Sequence, residues 1–332
     1  MVLYNIKNII SRKSNVGLFF SRSNIVPFYP LFLLIHITLL CNRKCQWCYQ
    51  INDKFYLHRK IEMELSMFKT ILQGFRYFKP HIHLYGGEPL YHSRFPEFLR
   101  SSQDYGYSPT LTTNGDYLEE YSDVILKSSV SQLNISVNGL VDNIGNLDFN
   151  FGKKIKYFIR QNQRKKIINL NCMLDPDNPE NLFDTVLYLN NNFKRGDFKY
   201  FVVQHFMFNK VSEKMFDSRK IADKLMEIKK LNLNFKLIYL PNIKITDIDN
   251  YYNSNYAFRN KCYIPWFGVC VYPDLNVTAG AGVFGCNSVL GNLSRVSILE
   301  IWRGGQFNNL RIRILKEGLP VICNRCCHKF YY

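Results

Sequence analysis

The sequence predicts an α/β protein: a parallel sheet with crossover helices, folded as an open or partial barrel and followed by a small cysteine-rich domain. Three observations carry this. From Leu31 to about Leu240, short apolar, β-branched or aromatic runs alternate with longer amphipathic stretches, the pattern of strands joined by helices. After Pro241 that rhythm stops, and clustered Asn, Gly and Cys take over. Nine of the ten cysteines fall in two groups, three between positions 41 and 48 and six between 262 and 327.

Strands are expected at Phe32–Thr38, His81–Tyr85, Thr110–Thr113, Gln132–Val137, Ile167–Cys172, Tyr200–His205 and Phe235–Tyr239. Between them, Met63–Phe78, Phe95–Gln103, Tyr117–Ser128, Lys154–Gln163, Leu182–Asn192 and Ser218–Lys230 read as helices. Six or seven such units fall short of a complete eight-fold barrel. Residues 1–30 form an N-terminal arm, 31–241 the barrel, and 242–332 the second domain, with one clear helix around Ile298–Glu317.

A chain of 332 residues with 47% apolar residues can bury a large core. The longest apolar run, Leu31 to Leu40, is interrupted by His36 and Thr38. It is about half the length of a membrane-spanning helix and reads as a buried strand. Lys7, Arg12, Lys13 and Arg22 lie in an N-terminal segment with no apolar core and cleavage site, so the expected location is the cytoplasm. The formal charge of +17 would suit a nucleic-acid surface, but Lys and Arg are scattered, and a wealth of Lys, Asn, Ile, Tyr and Phe points to compositional bias.

Grouped cysteines in a reducing compartment suggest metal rather than disulfides. The first group, Cys41-Asn-Arg-Lys-Cys45-Gln-Trp-Cys48, directly follows the first strand, at the end where β/α barrels carry their chemistry. Three thiolates can hold three irons of a 4Fe-4S cluster and leave the fourth open. Zinc would want a fourth protein ligand, for which His58 is nearest, and spacing alone leaves both metals standing. At the end of the second strand comes Tyr85-Gly86-Gly87-Glu88-Pro89, a sharp turn that sets a carboxylate beside backbone without side chains to block a ligand. The lone Cys172, in an apolar stretch, reads as a buried inert thiol.

With these two motifs in this order, the sequence resembles the radical S-adenosylmethionine (SAM) superfamily, whose signature is C-x3-C-x2-C with an aromatic residue before the third cysteine, here Trp47. Thr38, Thr113-Asn114-Gly115 and Ser136-Val137-Asn138-Gly139 extend the likeness. The resemblance implies a partial (β/α)6 TIM-like barrel with a 4Fe-4S cluster on Cys41, Cys45 and Cys48. It implies that the methionyl amine and carboxylate of S-adenosyl-L-methionine chelate the open iron. Trp47 would lie near the adenine, Gly86, Gly87 and Glu88 would receive the methionyl ammonium, and Ser136 would lie near the ribose. Relatives usually carry Asp where Asn138 stands; an amide can bond a hydroxyl but has no charge, so Asn138 is either a ribose or substrate contact or a turn residue.

From Cys262 onward the chain resembles the SPASM/twitch auxiliary-cluster domain of the same superfamily, through Pro265-Trp266, Pro273-Asp274, Gly291-Asn292-Leu293, Ile298-Leu-Glu-Ile-Trp302, Leu310-Arg311 and Cys323-x2-Cys326. The usual Asp-Gly-x4-Cys becomes Asp274-Leu275-x4-Gly280, losing a ligand that Cys286 replaces better than Cys270. Cys262, Cys286, Cys323 and Cys326 are therefore the expected auxiliary ligands, with Cys327 and His328 in reserve, and zinc on the same four is the alternative. The implied activity is reductive cleavage of SAM to a 5′-deoxyadenosyl radical that takes hydrogen from a substrate, with electrons from an external donor. A peptide or protein substrate is favoured over a sugar-like alcohol. Tyr85, Asn114, Cys172, Gln204 and His205, at strand ends, face either that substrate or the core. The rival is a non-catalytic zinc or iron–sulfur module contacting nucleic acid.

Overall fold

The computed structural model describes residues 26, 29–45, 48, 50, 61–138, 140–141, 146–163, 165–205, 215–253, 262, 264–279 and 288–319. In chain order the barrel comprises β1 (Phe32–Thr38), α1 (Leu65–Gly74), β2 (His81–Gly86), α2 (Phe95–Asp104), β3 (Thr110–Thr113), α3 (Leu118–Lys127), β4 (Gln132–Ser136), α4 (Phe149–Asn162), β5 (Ile167–Leu174), α5 (Glu180–Asn192), β6 (Tyr200–His205), α6 (Ser218–Lys230) and β7 (Leu237–Leu240). Then follow α7 (Ile248–Asn253), α8 (Ile264–Phe267), β8 (Gly268–Val271), β9 (Asn276–Thr278), β10 (Val289–Asn292), α9 (Ile298–Arg303) and α10 (Gly305–Glu317). The described strands form one sheet in the order β10-β9-β8-β1-β2-β3-β4-β5-β6-β7. All pairs from β1 to β7 are parallel, β8 joins β1 in parallel, and β9 and β10 complete an antiparallel meander. The sheet does not close on itself, as expected of a partial barrel.

Alternation along the strands explains how the sheet divides its two faces. Leu33, Ile35 and Ile37 of β1, Ile82 and Leu84 of β2, Leu133 and Ile135 of β4, and Ile168 and Leu170 of β5 are buried in one apolar core, together with Phe68, Phe98, Ile125, Phe158 and Leu189 from the helices. On the opposite face, the inside of the barrel, β2 to β5 carry polar side chains. There His81 Nε2 meets Thr110 Oγ1 at 2.7 Å, and His83 Nε2 meets Thr112 Oγ1 at 2.8 Å. Asn134 donates to Thr112 at 3.2 Å and accepts from Gln132 and Asn169 at 3.1 and 3.0 Å. Four strands are thus laced by neutral side chains, with burial holding the His81 imidazole below its ordinary range.

Helix starts differ from the expected ones for local reasons. α4 begins at Phe149 rather than Lys154, because the Asp148 carboxylate accepts from the Phe151 amide at 2.9 Å and caps the first turn. α1 begins only at Leu65, because Met63 still donates to the Ile37 carbonyl at 2.7 Å and Glu62 bridges to Thr38 in strand fashion. The expected tail helix is two helices, broken where Gly304 turns extended with ψ 166°. Its first half starts with a capping box between Ser297 and Glu300. β8 to β10 and α7 had no clear sequence signal. No helix among the described residues is long and apolar enough to cross a membrane.

Candidate functional site

The first cysteine loop leaves β1 at its C-terminal end, and the Gly-Gly-Glu-Pro turn leaves β2 beside it. The turn is built against the root of the loop: Gly87 donates to the Thr38 carbonyl at 2.9 Å and Glu88 to the Leu40 carbonyl at 2.8 Å. A Cβ on Gly86 would run into the Thr38 carbonyl, and one on Gly87 into that of Leu40. Both glycines are therefore demanded by the approach of backbone to backbone. Glu88 is 1% exposed. Its carboxylate accepts from the Thr113 hydroxyl at 2.7 Å, the Asn114 amide at 2.6 Å and the Leu90 amide at 3.1 Å. Burial outweighs these donors and pushes its pKa up to about 7. The Glu88 side chain thus joins β2 to β3, and the turn offers a ligand its backbone.

The β3 exit in turn grips the cysteine loop. Asn114 Nδ2 donates to Asn42 Oδ1 at 2.8 Å, and Asn42 Nδ2 donates to Asp116 Oδ2 at 2.6 Å. Arg43 forms a two-pronged pair with Asp116, its Nε at 2.7 Å from Oδ2 and its Nη2 on Oδ1. Its guanidinium also lies over the Phe151 ring, 4.9 Å from the centroid. The residues between Cys41 and Cys45 are thereby anchored on β3 and α4. Arg43 and Asp116 carry no motif letter and were not singled out in the sequence. The signal available was one residue past Thr113-Asn114-Gly115, where Asp116 follows.

The loop suits thiolate ligation. Cys41, Cys45 and Cys48 form no disulfide and are partly or fully exposed. The Arg43 amide points at Cys41 Sγ at 3.4 Å, and the Cys48 amide closes a turn on the Cys45 carbonyl at 3.0 Å. Burial pushes the Cys41 and Cys45 thiols up, so without metal they hold their protons at neutral pH. Metal binding must displace those protons. Among the described residues no three His, Cys, Asp or Glu side chains gather as they would around a single metal ion.

At the next two strand exits the wall is again neutral. Asn138 donates to Ser136 Oγ at 3.1 Å and accepts from the Met173 amide at 2.7 Å. An amide does both jobs at once, which a carboxylate cannot. Tyr85, Ser136 and Gln204 are partly exposed on the inner face, as are Asn171 and Met173. Cys172 and His205 alternate to the other face and are buried in the core, the thiol pushed up to about 12 and the imidazole down to about 3 by burial. His205 is bonded to Tyr252 at 2.9 Å.

In the tail, Cys262 packs on the main core. Cys270 is fully buried on β8 with Leu34, Leu39 and Tyr272, its thiol also pushed up to about 12 by burial. It reads as a packing residue. Trp47, Cys286, Cys323 and Cys326 lie outside the described residues, as do Gly280, Cys327 and His328.

Comparison with known proteins agrees with this arrangement. Residues 35–217, more than half the chain, match the family model described as the radical SAM superfamily, and residues 262–327 match an iron–sulfur cluster-binding domain, SPASM. Among curated proteins the chain is similar to a probable GTP 3′,8-cyclase of Methanococcus maripaludis, 28% identical over 32% of this chain and 36% of the relative. It is also similar to a GTP 3′,8-cyclase of Alkaliphilus oremlandii, 29% identical over 33% of this chain and 35% of the relative. It therefore spans about a third of these relatives' length. Among solved structures, Streptococcus suis SuiB bound to S-adenosylmethionine has a TM-score of 0.63 at 16% identity, covering 92% of this chain and 73% of that one. The structure of anSMEcpe with bound AdoMet has a TM-score of 0.59 at 16% identity, covering 84% of this chain and 82% of that one. These likenesses are of fold. The chain belongs to the radical SAM superfamily, as an enzyme with a C-terminal SPASM domain whose cofactors are 4Fe-4S clusters and S-adenosylmethionine.

Proposed function

We propose that the enzyme cleaves S-adenosylmethionine reductively at a cluster on Cys41, Cys45 and Cys48 and takes a hydrogen atom from a peptide or protein substrate. When bound, a reduced cluster supplies the electron that splits the adenosyl carbon–sulfur bond, releasing methionine and a 5′-deoxyadenosyl radical. The chain's own residues position and exclude. The observation that carries this reading is the latch from Glu88 through Asn114 and Asp116 to Asn42 and Arg43, which ties the cysteine loop to the turn after β2 and the exit of β3.

The substrate preference draws on two observations. Tyr85, Thr112, Ser136, Asn171 and Gln204 offer neutral donors and acceptors at the inner face, which suits amide groups. The fold also resembles SuiB bound to precursor peptide SuiA, with a TM-score of 0.63 at 18% identity. Residues 31–241 would form the catalytic unit and 242–332 the auxiliary-centre domain, working in the cytoplasm with an external electron donor. Trp47, Gly86, Gly87 and Ser136 would contact the cofactor, Asn138 holding Ser136 in place, and Cys262, Cys286, Cys323 and Cys326 would hold the second centre.

The test is anaerobic incubation of reconstituted enzyme with S-adenosylmethionine and a strong reductant, reading 5′-deoxyadenosine. The wild-type chain should form it. Replacing Cys41, Cys45 and Cys48 together with Ala should abolish it and remove about four irons per chain, as one 4Fe-4S cluster requires. Iron unchanged by the triple replacement would refute the assignment. A zinc-only protein with neither iron nor sulfide would be a non-catalytic module instead.

A further inference from the structure

The positive charge of the chain is concentrated on one barrel helix. Seven Lys and Arg fall within positions 153 to 166, and from Phe149 to Leu174 there is no Asp or Glu. Four of the seven, Lys153, Lys154, Lys156 and Arg160, belong to α4. This helix buries Phe151, Ile155, Phe158 and Ile159, and Gly152 brings it so close to α5 that a Cβ would strike the Tyr188 hydroxyl. That packing fixes which side faces water. Lys153, Lys154 and Arg160 stand outward, with Lys156 partly exposed among them. Phe149 and Tyr157 share this face, 59% and 52% exposed. No ion pair among the described residues involves the four cations, whereas lysines of α3 and α6 pair with Asp123, Glu180 and Glu227. Fourteen helical residues make a strip about 21 Å long, basic and interleaved with two aromatic rings.

The strip begins beside the cysteine loop. Arg43, two positions from both Cys41 and Cys45, lies over the Phe151 ring in the first turn of α4. Burial would raise the Asp116 carboxyl, but its bonds from Arg43 and Asn42 and the charge of Lys154 hold it below the ordinary carboxylate range. Lys154 is thus near enough for its charge to be felt at the latch. A molecule seated on the outer face of α4 would lie against the outside of the element that anchors the cysteine loop, away from the inner face of the sheet.

We propose that the outer face of α4 is the docking surface for the electron donor of the first cluster, a small acidic one-electron carrier protein. This rests on the reading that Cys41, Cys45 and Cys48 hold a reducible cluster. The reduced carrier gives up one electron and leaves oxidised by one, and the cluster gains that electron. Complementary charge steers an acidic protein onto the face, and the exposed rings supply the aromatic contact that interfaces concentrate. Nucleic acid answers the charge but not the position beside the cysteines.

The experiment uses the full, reconstituted chain without oxygen and follows 5′-deoxyadenosine formed from S-adenosylmethionine. It compares dithionite, which needs no docking, with an acidic flavodoxin and an acidic ferredoxin, each kept reduced by NADPH and a reductase and supplied below saturation. The triple variant Lys153→Gln, Lys156→Gln and Arg160→Gln removes three charges from the solvent side, keeps good helix formers and leaves Lys154 and the packed face intact. At low salt the carrier-driven rate should fall about 10-fold, the lower end of what steering contributes, while the dithionite-driven rate is unchanged. The gap should close toward 1 M salt, where charges are screened within about 3 Å. Tyr157→Ser should slow the carrier-driven rate at every salt concentration. Equal carrier-driven rates in wild type and triple variant overturn the inference, as does an equal loss with all reductants, which would make the helix a support for the loop. So does a wild type driven by dithionite but by neither carrier. Lost binding of a single-stranded oligonucleotide, with carrier-driven rates unchanged, would make the face a nucleic-acid surface instead. A wild type that forms no 5′-deoxyadenosine with dithionite overturns the cluster reading and this inference with it.

Discussion

The described parts of the two cysteine-bearing regions differ in their charged surroundings. Around the first loop, beyond the effect of burial, Glu88 raises the Cys41 thiol and Asp116 the Cys45 thiol, while Arg43 and a backbone hydrogen bond draw them back. Around α8 to α10 carboxylates are scarce and a buried guanidinium dominates. Potentials of iron–sulfur clusters follow net charge and hydrogen bonding. A cluster held by the first loop should therefore be a strong reductant, as reduction of a sulfonium demands.

The largest effect should come from Gly87→Val, which strikes the geometry under the first region. A side chain there meets the Leu40 carbonyl, so the loop root itself must move, at a cost of about 3 kcal/mol. Cluster loading and S-adenosylmethionine binding should fall together, measured by iron content and calorimetry. If loading survives while binding is lost, the glycine serves the ligand and not the loop.

Glu88→Gln should cost about 1–3 kcal/mol, because an amide leaves one of the three donors without an acceptor. It also has a pH signature. The Glu88 pKa is raised from 4.5 to about 7 in the folded state, so the folded chain holds a proton there that the unfolded chain has lost. That contribution is full below pH 4.5 and disappears as pH rises through about 7. Denaturant melts between pH 5 and 8 should show this decline in the wild type and a flatter profile in Glu88→Gln. Equal slopes would mean that Glu88 ionises normally.

Asp116→Asn keeps the hydrogen-bonding shape and removes the charge. The Arg43 and Asp116 side chains are 22% and 29% exposed, so screening limits the stability loss to about 1 kcal/mol. The sharper readout is electrochemical: the first cluster's potential should rise while that of the auxiliary centre stays put. Movement of both would erase the contrast between the regions. Smallest of all, Cys270→Ala should leave metal content unchanged and cost about 1 kcal/mol of packing, whereas loss of iron would return Cys270 to the ligand set.

How legible these regions were differs with the range of the contacts that make them. β1, β3 and β6 stand where alternation and flanking turn residues put them, because their signal is local. β8, β9 and β10 are three or four residues long, too short for any periodicity, and only β8 pairs with the barrel, through β1. The motif cysteines and the Gly-Gly-Glu-Pro turn were readable from spacing. The burial of Glu88 and the Arg43–Asp116 pair were not, since they depend on loops 73 residues apart meeting in space. The close approach of Gly87 to the Leu40 carbonyl is a second such contact, which only the neighbouring loop reveals.

The place of β8 beside β1 has a consequence for how the chain reaches this state. Leu33 and Leu34 of β1 pair on one side with β2, but on the other only with Val269 and Cys270. On a ribosome, that second edge of an apolar strand waits through the synthesis of the whole barrel before its partner emerges. A pairing so distant in sequence is slow to form, and an open apolar edge invites association with other nascent chains. The strand that launches the cysteine loop is thus the one most exposed to misassembly until the tail arrives. A chain ended after residue 241 should accumulate in the insoluble fraction, and co-expression of residues 242–332 should return part of it to solution.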